Sequence, residues 1–174
     1  MKKQILDKDE IEKNIIRISN EILERNINSS TLIIIGIKNR GDILAKRIEK
    51  RIESIDRKKI TTSEIDITFY RDDVHLKAYK YVVKQKIQFD ITDKNIILVD
   101  DVIFTGRSVR AAIDELIDSG RPSSIQLAVL IDRGGRELPI QPDYIGKKMY
   151  VKLDKEVLVY LKEVDGEDRA LISL

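Results

Sequence analysis

The chain contains no cysteine and no tryptophan, and His75 is the single histidine in its 174 residues. Missing thiols exclude disulfides, cysteine nucleophiles and cysteine-ligated zinc. One histidine cannot furnish a histidine-rich metal site, and it gives little basis for a histidine-based triad. His75 itself reads as an exposed loop residue. With only three prolines and no stretch rich in proline, glycine or serine, nothing divides the chain. It reads as a single domain over 1–174, long enough for a sizeable core. No apolar run approaches the roughly 18 residues of a membrane span. The N-terminus, MKKQILDKDE, turns acidic too early for a secretory signal. These absences predict a cytoplasmic protein without a membrane partner. An excess of one charge is lacking too: 32 basic and 30 acidic side chains leave a net +2. Any nucleic-acid contact therefore needs a local basic patch.

What is present is periodicity. Ile11, Ile15, Ile18 and Ile22 fall at helical spacing, which predicts a helix over about Lys8–Asn26, capped by Asp7 with Glu10 completing a capping box. Thr31–Ile37, Asn95–Val99 and Ile125–Ile131 are apolar runs that read as buried strands. Glu64–Tyr70 alternates like a half-exposed strand. Amphipathic stretches near Asp42–Ser54 and Arg107–Ser119 read as helices, the second stopped by Gly120 with Pro122 beyond. Short strands are expected at Tyr144–Ile145, Lys148–Leu153 and Val157–Val164. Arg71–Lys86 is weakly patterned, either a mobile loop or an edge hairpin. Buried strands alternating with amphipathic helices define an α/β protein with a mostly parallel sheet covered on both faces. Ligands in such sheets sit at the carboxyl ends of strands where strand order reverses. That directs attention to the loops after Ile37, Val99 and Ile131.

The most specific segment is ILVDDVIFTGRSV, Ile97–Val109. A buried strand leads into Asp100 and Asp101, and a short loop with Thr105, Gly106 and Ser108 opens a helix. Backbone N–H groups and a helix N-terminus make an anion cradle there. Two carboxylates would repel a phosphate, so they make sense facing hydroxyls; a sugar phosphate offers both groups. Taken alone, the acidic pair equally suits two turn-forming aspartates before a helix. The segment is neither a Walker loop nor a dinucleotide fingerprint.

VDDVIFTGRSVRAA resembles the phosphoribosyl pyrophosphate motif of type I phosphoribosyltransferases. GIKNRG at Gly36–Gly41, EIDITFYRDD at Glu64–Asp73, GRPSSIQLAVLIDRGGRELP and PDYIGK extend the likeness from about Ile5 to Asp165. Together they resemble the family of bacterial pyrimidine operon attenuation regulators, bifunctional uracil phosphoribosyltransferases. The resemblance implies a three-layer fold with a small hood over the base. It implies conversion of uracil and phosphoribosyl pyrophosphate to UMP and pyrophosphate, and UMP-regulated binding of pyrimidine leader RNA by a homodimer or larger homo-oligomer. Asp100 and Asp101 would hold the ribose hydroxyls. Thr105, Gly106, Arg107 and Ser108 would wrap the 5′-phosphate, with Val99, Val102, Ile103 and Phe104 completing the motif. Lys38, Asn39 and Arg40 would form the pyrophosphate loop, and Arg71 and Asp72 would open a closing loop. Mg²⁺ would arrive on the substrate, near Asp100 and Asp101, without direct protein ligands. The family's RNA face matches Lys13, Arg17, Arg25, Arg136 and Lys147. Read without the resemblance, Lys38 and Arg40 are solvated charges at a strand end, and the first helix carries an ordinary charged surface.

The chain departs from the family at several positions. Gly135 and Asn20 stand where histidines are usual, and Gln141 where a basic residue is. Tyr150-Val151-Lys152 replaces Pro-Thr-Ser near the base, and Phe104 replaces a tyrosine. Purine phosphoribosyltransferases commonly carry an aspartate at the Phe104 position, and phenylalanine can neither accept a proton nor donate one. Three readings result: an active uracil enzyme that also binds RNA, a nucleotide-binding regulator with little catalysis, and a purine phosphoribosyltransferase.

Overall fold

The structure, a computed structural model, describes residues 2–27, 29–67, 87 and 89–173. Helix α1 spans Lys8–Arg25 and begins with the expected box. The Asp7 carboxylate accepts from Glu10 N at 2.8 Å, and the Glu10 carboxylate accepts from Asp7 N at 2.9 Å. Strand β2 (Leu32–Ile37) is buried throughout, because a central parallel strand has both faces covered. It is followed by α2 (Gly41–Asp56), β3 (Thr61–Ile65), β4 (Asn95–Ile103), α3 (Arg107–Ser119), β5 (Ser124–Asp132) and β6 (Tyr144–Lys148). The five strands form one sheet in the order β3-β2-β4-β5-β6, parallel at every pairing.

Period-two alternation sends successive apolar residues to opposite faces. Ile34, Ile97, Val99, Ala128 and Leu130 face α1 and α2, meeting Ile15, Ile18, Leu44 and Ile48. Ile33, Ile35, Ile96, Leu98 and Val129 face α3, meeting Val109, Ala112 and Leu116. The result is three layers. From β2 the chain goes to β3 on one side and then crosses to β4 on the other, so strand order reverses at the carboxyl ends of β2 and β4.

A second, antiparallel sheet is built from the two ends of the chain. β1 (Lys2–Leu6) pairs with β8 (Arg169–Ser173), which pairs with β7 (Val157–Tyr160); the short helix α4 (Lys162–Asp165) joins β7 to β8. Leu6, Val159, Leu161 and Ala170 join the core on the α1–α2 face.

Several boundaries differ from the sequence expectation. Strand β3 begins at Thr61 rather than Glu64 and ends at Ile65, since pairing with buried β2 (Ile33↔Thr61 through Ile37↔Ile65) sets its register; residues 68–70 of the expected Glu64–Tyr70 strand lie outside the described residues. Strand β4 does not end at Val99; β5 carries it to Ile103. Lys148–Leu153 forms no strand beyond the end of β6. The expected Val157–Val164 strand stops at Tyr160, where the Asp165 carboxylate accepts from Leu161 N at 2.8 Å and turns the chain into α4.

Candidate active site

The β2–β4 ladder ends at Gly36↔Val99, whereas β4 and β5 stay paired to Ile103↔Asp132. One edge of β4 beyond Val99 is thus released into the crevice while the other edge holds it rigid. Asp100 and Asp101 sit on this half-paired stretch. Asp100 is buried and accepts from Asp101 N at 2.9 Å; Asp101, half-buried, accepts from Val102 N at 2.7 Å. Burial pushes both carboxyls above the ordinary carboxylate range. Asp100 moves well above it, because the charge of Asp101 adds to the burial. The Arg40 guanidinium opposes the rise at Asp101. Val99 and Ile103 are core residues behind the pair, and half-buried Val102 lines the crevice.

Two loops flank the acidic pair. In the first, Asn39 and Arg40 both take positive φ, 68° and 85°. Non-glycine residues hold such angles at a cost of about 1–3 kcal/mol each when surrounding structure dictates them. Here two glycines dictate the closeness. A Cβ on Gly36 would lie 2.3 Å from Asp42 Cα, and one on Gly41 2.5 Å from the Val99 carbonyl oxygen. The turn is thereby pressed onto β4. Lys38 Nζ lies 3.2 Å from Glu64 and 3.9 Å from Asp66. Arg40 binds Asp165 side-on, Nε to Oδ2 at 3.2 Å and Nη2 to Oδ1 at 2.9 Å. In the second loop Gly106, at φ 91°, precedes α3. Thr105 Oγ1 accepts from Arg107 N at 3.3 Å, and Arg107 Nε donates to Glu137 at 2.7 Å. Lys38, Asn39, Asp66, Asp100, Asp101 and Ser108 line a common cavity of about 180 Å³. Of the sequence-predicted residues, Lys38, Asn39, Asp100, Asp101, Val102 and Ser108 meet in this crevice at the strand-order reversal, while Arg40, Thr105, Gly106 and Arg107 are not part of its lining. Arg71 and Asp72, like His75, lie outside the described residues.

Toward β5, the Arg133 guanidinium stacks on the Phe104 ring, 4.2 Å from its centroid. A Cβ on Gly135, whose φ is 78°, would fall 2.4 Å from that ring. Glycine at 135 thus leaves the Phe104 ring the space it occupies. A second cavity of about 320 Å³ opens beside them, lined by Asp132, Arg136, Gln141, Lys148 and the exposed Tyr150 among others.

The five basic residues matched to an RNA face fare differently. Lys13 is exposed on α1. Arg17 bonds Glu21, Asn14 and the Ile145 and Gly146 carbonyls. Arg25 pairs with Asp143 at 2.6 Å, and Lys147 donates to the Ile5 carbonyl at 2.7 Å. Arg136 is an internal clamp: its three nitrogens reach Asp132, the Phe104 carbonyl and the Ile140 carbonyl.

Sequence reasoning missed the carboxylates that hold the basic loop, namely Glu64, Asp66 and Asp165. EIDIT was visible as a string, but without β3's register nothing aimed Glu64 and Asp66 at Lys38. Asp165 lies 125 residues from Arg40, inside an acidic run that reads as ordinary solvated surface.

An acidic pair between two loops at a strand-order reversal is an arrangement suited to a sugar phosphate. A family described as "Phosphoribosyl transferase domain" matches residues 1–160, and the chain belongs to it. Solved relatives share the fold at low identity. A hypoxanthine phosphoribosyltransferase from Staphylococcus aureus aligns with TM-score 0.75 and 19% identity over 99% of this chain and 90% of that one. A Trypanosoma cruzi hypoxanthine phosphoribosyltransferase in complex with IMP aligns with TM-score 0.72 and 14% identity, over 98% and 89%. Within the family the chain stands with the PyrR proteins. It is 52% identical to the bifunctional protein PyrR of Bacillus subtilis over 97% of this chain and 94% of that protein, and 50% identical to that of Clostridioides difficile over 99% and 98%.

Proposed function

We propose that the chain transfers the phosphoribosyl group of phosphoribosyl pyrophosphate to uracil, giving UMP and pyrophosphate, and that it also binds pyrimidine operon leader RNA under UMP control. The observation that carries the catalytic part is the convergence of Asp100, Asp101, Ser108, Lys38 and Asn39 on one cavity. Breaking the glycosidic C–O bond leaves positive charge on the ribose and negative charge on the departing pyrophosphate. Carboxylates at the hydroxyls and Lys38 with backbone N–H groups at the pyrophosphate are complementary to both. No side-chain nucleophile is needed, in keeping with a chain without cysteine. Phe104 offers no acceptor to a purine ring, which favours uracil over the purine bases named for the solved relatives.

Among the described residues no group of three or more potential ligands could hold a metal ion by itself. Mg²⁺ would arrive on substrate oxygens, the usual binding of an ion that keeps its waters and leans on phosphates. Asp100 and Asp101 would sit beside it, and the ion would neutralise charge on the leaving pyrophosphate. For RNA, Lys13 and Arg17 on α1 with Arg25 and Lys147 supply positive charge. A homodimer or larger homo-oligomer would join such faces into a broader one. No helix among the described residues is long and apolar enough to cross a membrane.

The test is product formation from phosphoribosyl pyrophosphate and Mg²⁺ with uracil, hypoxanthine and guanine offered separately. UMP from uracil alone, abolished in the double variant Asp100→Asn/Asp101→Asn, is the expected result. IMP or GMP instead would replace uracil by a purine. No product from a protein that still binds UMP would make it a regulator without turnover.

A further inference from the structure

Arg40 starts from a backbone at φ 85°, yet its guanidinium does not lie loose. Asp165 of α4 engages it through Nε and Nη2, a side-on, two-bond geometry that fixes the plane of the guanidinium as well as its place. Nη1 is left over. Asp165 is itself anchored, since its Oδ2 accepts from Leu161 N at 2.8 Å, and its side chain is only 15% exposed. This is not a pair between two floppy surface chains. The Arg40 charge also acts on Asp101. Arg40 is thus bonded to a carboxylate in the small sheet's connection while its charge is felt by one of the acidic pair.

We propose that Asp165 is a positioning residue for Arg40, through which the small antiparallel sheet sets the geometry of the loop that receives pyrophosphate. The proposal rests on the reading of Lys38–Arg40 as that loop. With Asp165 present, the guanidinium plane is fixed, and Nη1, without a partner among the described residues, is available to an anion. Without Asp165, the guanidinium loses both of its bonds to that carboxylate and turns to the other carboxylates around the loop: Asp42, whose Oδ1 accepts from Arg40 N at 3.1 Å, and Asp101, on which its charge already acts. Docking of α4 does not by itself need this pair. Arg47, two turns further along α2, already reaches Glu163 and, at 2.7 Å, Asp168. Two arginines seven residues apart thus divide the labour: Arg47 attaches the small sheet, and Arg40 reads its position.

Steady-state kinetics of the full chain with phosphoribosyl pyrophosphate varied, alongside thermal melts, test this. Asp165→Asn is expected to raise KM for phosphoribosyl pyrophosphate about tenfold with kcat changed less than about twofold. Asp165→Glu keeps the charge and shifts it outward, so an intermediate rise of about two- to threefold is expected. Arg47→Gln is expected to lower Tm and leave KM unmoved. An unchanged KM in Asp165→Asn, while Arg40→Gln raises it, overturns the positioning role and leaves the loop reading intact. No effect of Arg40→Gln on KM removes the loop reading and the proposal with it. Parallel losses of Tm and KM in Arg47→Gln and Asp165→Asn reduce Asp165 to a docking contact and overturn it too. Should Asp165→Asn not fold, an unchanged KM in Asp165→Glu is the overturning result.

Discussion

A buried carboxylate next to a second one carries an energetic debt that the folded chain cannot discharge alone. Asp100 ionises in the unfolded chain near pH 3.9, but burial and the neighbouring Asp101 charge hold it protonated to higher pH in the fold. Above about pH 3.9 the native state binds more protons than the unfolded one, so stability falls as pH rises, until the folded group ionises as well. Asparagine at this position keeps the oxygen that accepts from Asp101 N and removes the charge. Asp100→Asn is therefore expected to raise Tm at pH 7 by about 2–4 °C for each kcal/mol relieved, while phosphoribosyl transfer collapses. The gain should vanish near pH 4. Melts across pH 4–8 check it, and a variant less stable than the parent at pH 7 contradicts the origin given for the shift. Asp165 is the opposite case: despite its own burial, the hydrogen bond from Leu161 and its bonds with Arg40 hold its carboxyl below the ordinary range.

Among the elements, those with a strong internal period were readable in advance and those defined by a partner were not. The Ile11–Ile22 stripe and the Asp7–Glu10 box are local, and α1 follows them closely. Runs such as LIIIGI admit only a strand covered on both faces. Strand β1 is five residues with no decisive pattern, KKQIL, and acquires its state only from β8 across the whole chain. The site divides in the same way. The stretch Ile97–Val109 carries its chemistry in consecutive residues, whereas Glu64, Asp66 and Asp165 reach the basic loop through tertiary register. The turn between β2 and α2 shows how tightly elements can dictate a loop. Gly41→Ala would force a Cβ to within 2.5 Å of the Val99 carbonyl, where a backbone atom cannot yield. Overpacking of this kind costs about 1–3 kcal/mol. Since relief can come only by lifting the loop off β4, KM for phosphoribosyl pyrophosphate should rise as well. Urea melts paired with kinetics check both, and a stable variant with normal KM contradicts the close packing.

For the molecule as a whole, the balance of charge means that the proposed RNA binding would depend on particular side chains. Lys13 is exposed, so Lys13→Ala should weaken leader RNA binding and reduce the slope of log affinity against log salt by about one, leaving the melt unchanged. Arg136 clamps Asp132, Phe104 and Ile140, so Arg136→Ala should lower Tm and disturb RNA binding only through the fold. Salt titrations and melts of both variants separate the roles; an unaltered Tm in Arg136→Ala returns that residue to the RNA face. The small sheet has a further consequence, for the order in which the protein is made. Lys2 pairs with Ser173, so β1 is synthesised long before the strand it pairs with. In that interval the five-stranded sheet and both loops beside the acidic pair are synthesised, and Asp165 follows them. Until α4 follows, a nascent chain holds the loop of Lys38, Asn39 and Arg40 without the carboxylate that tethers Arg40.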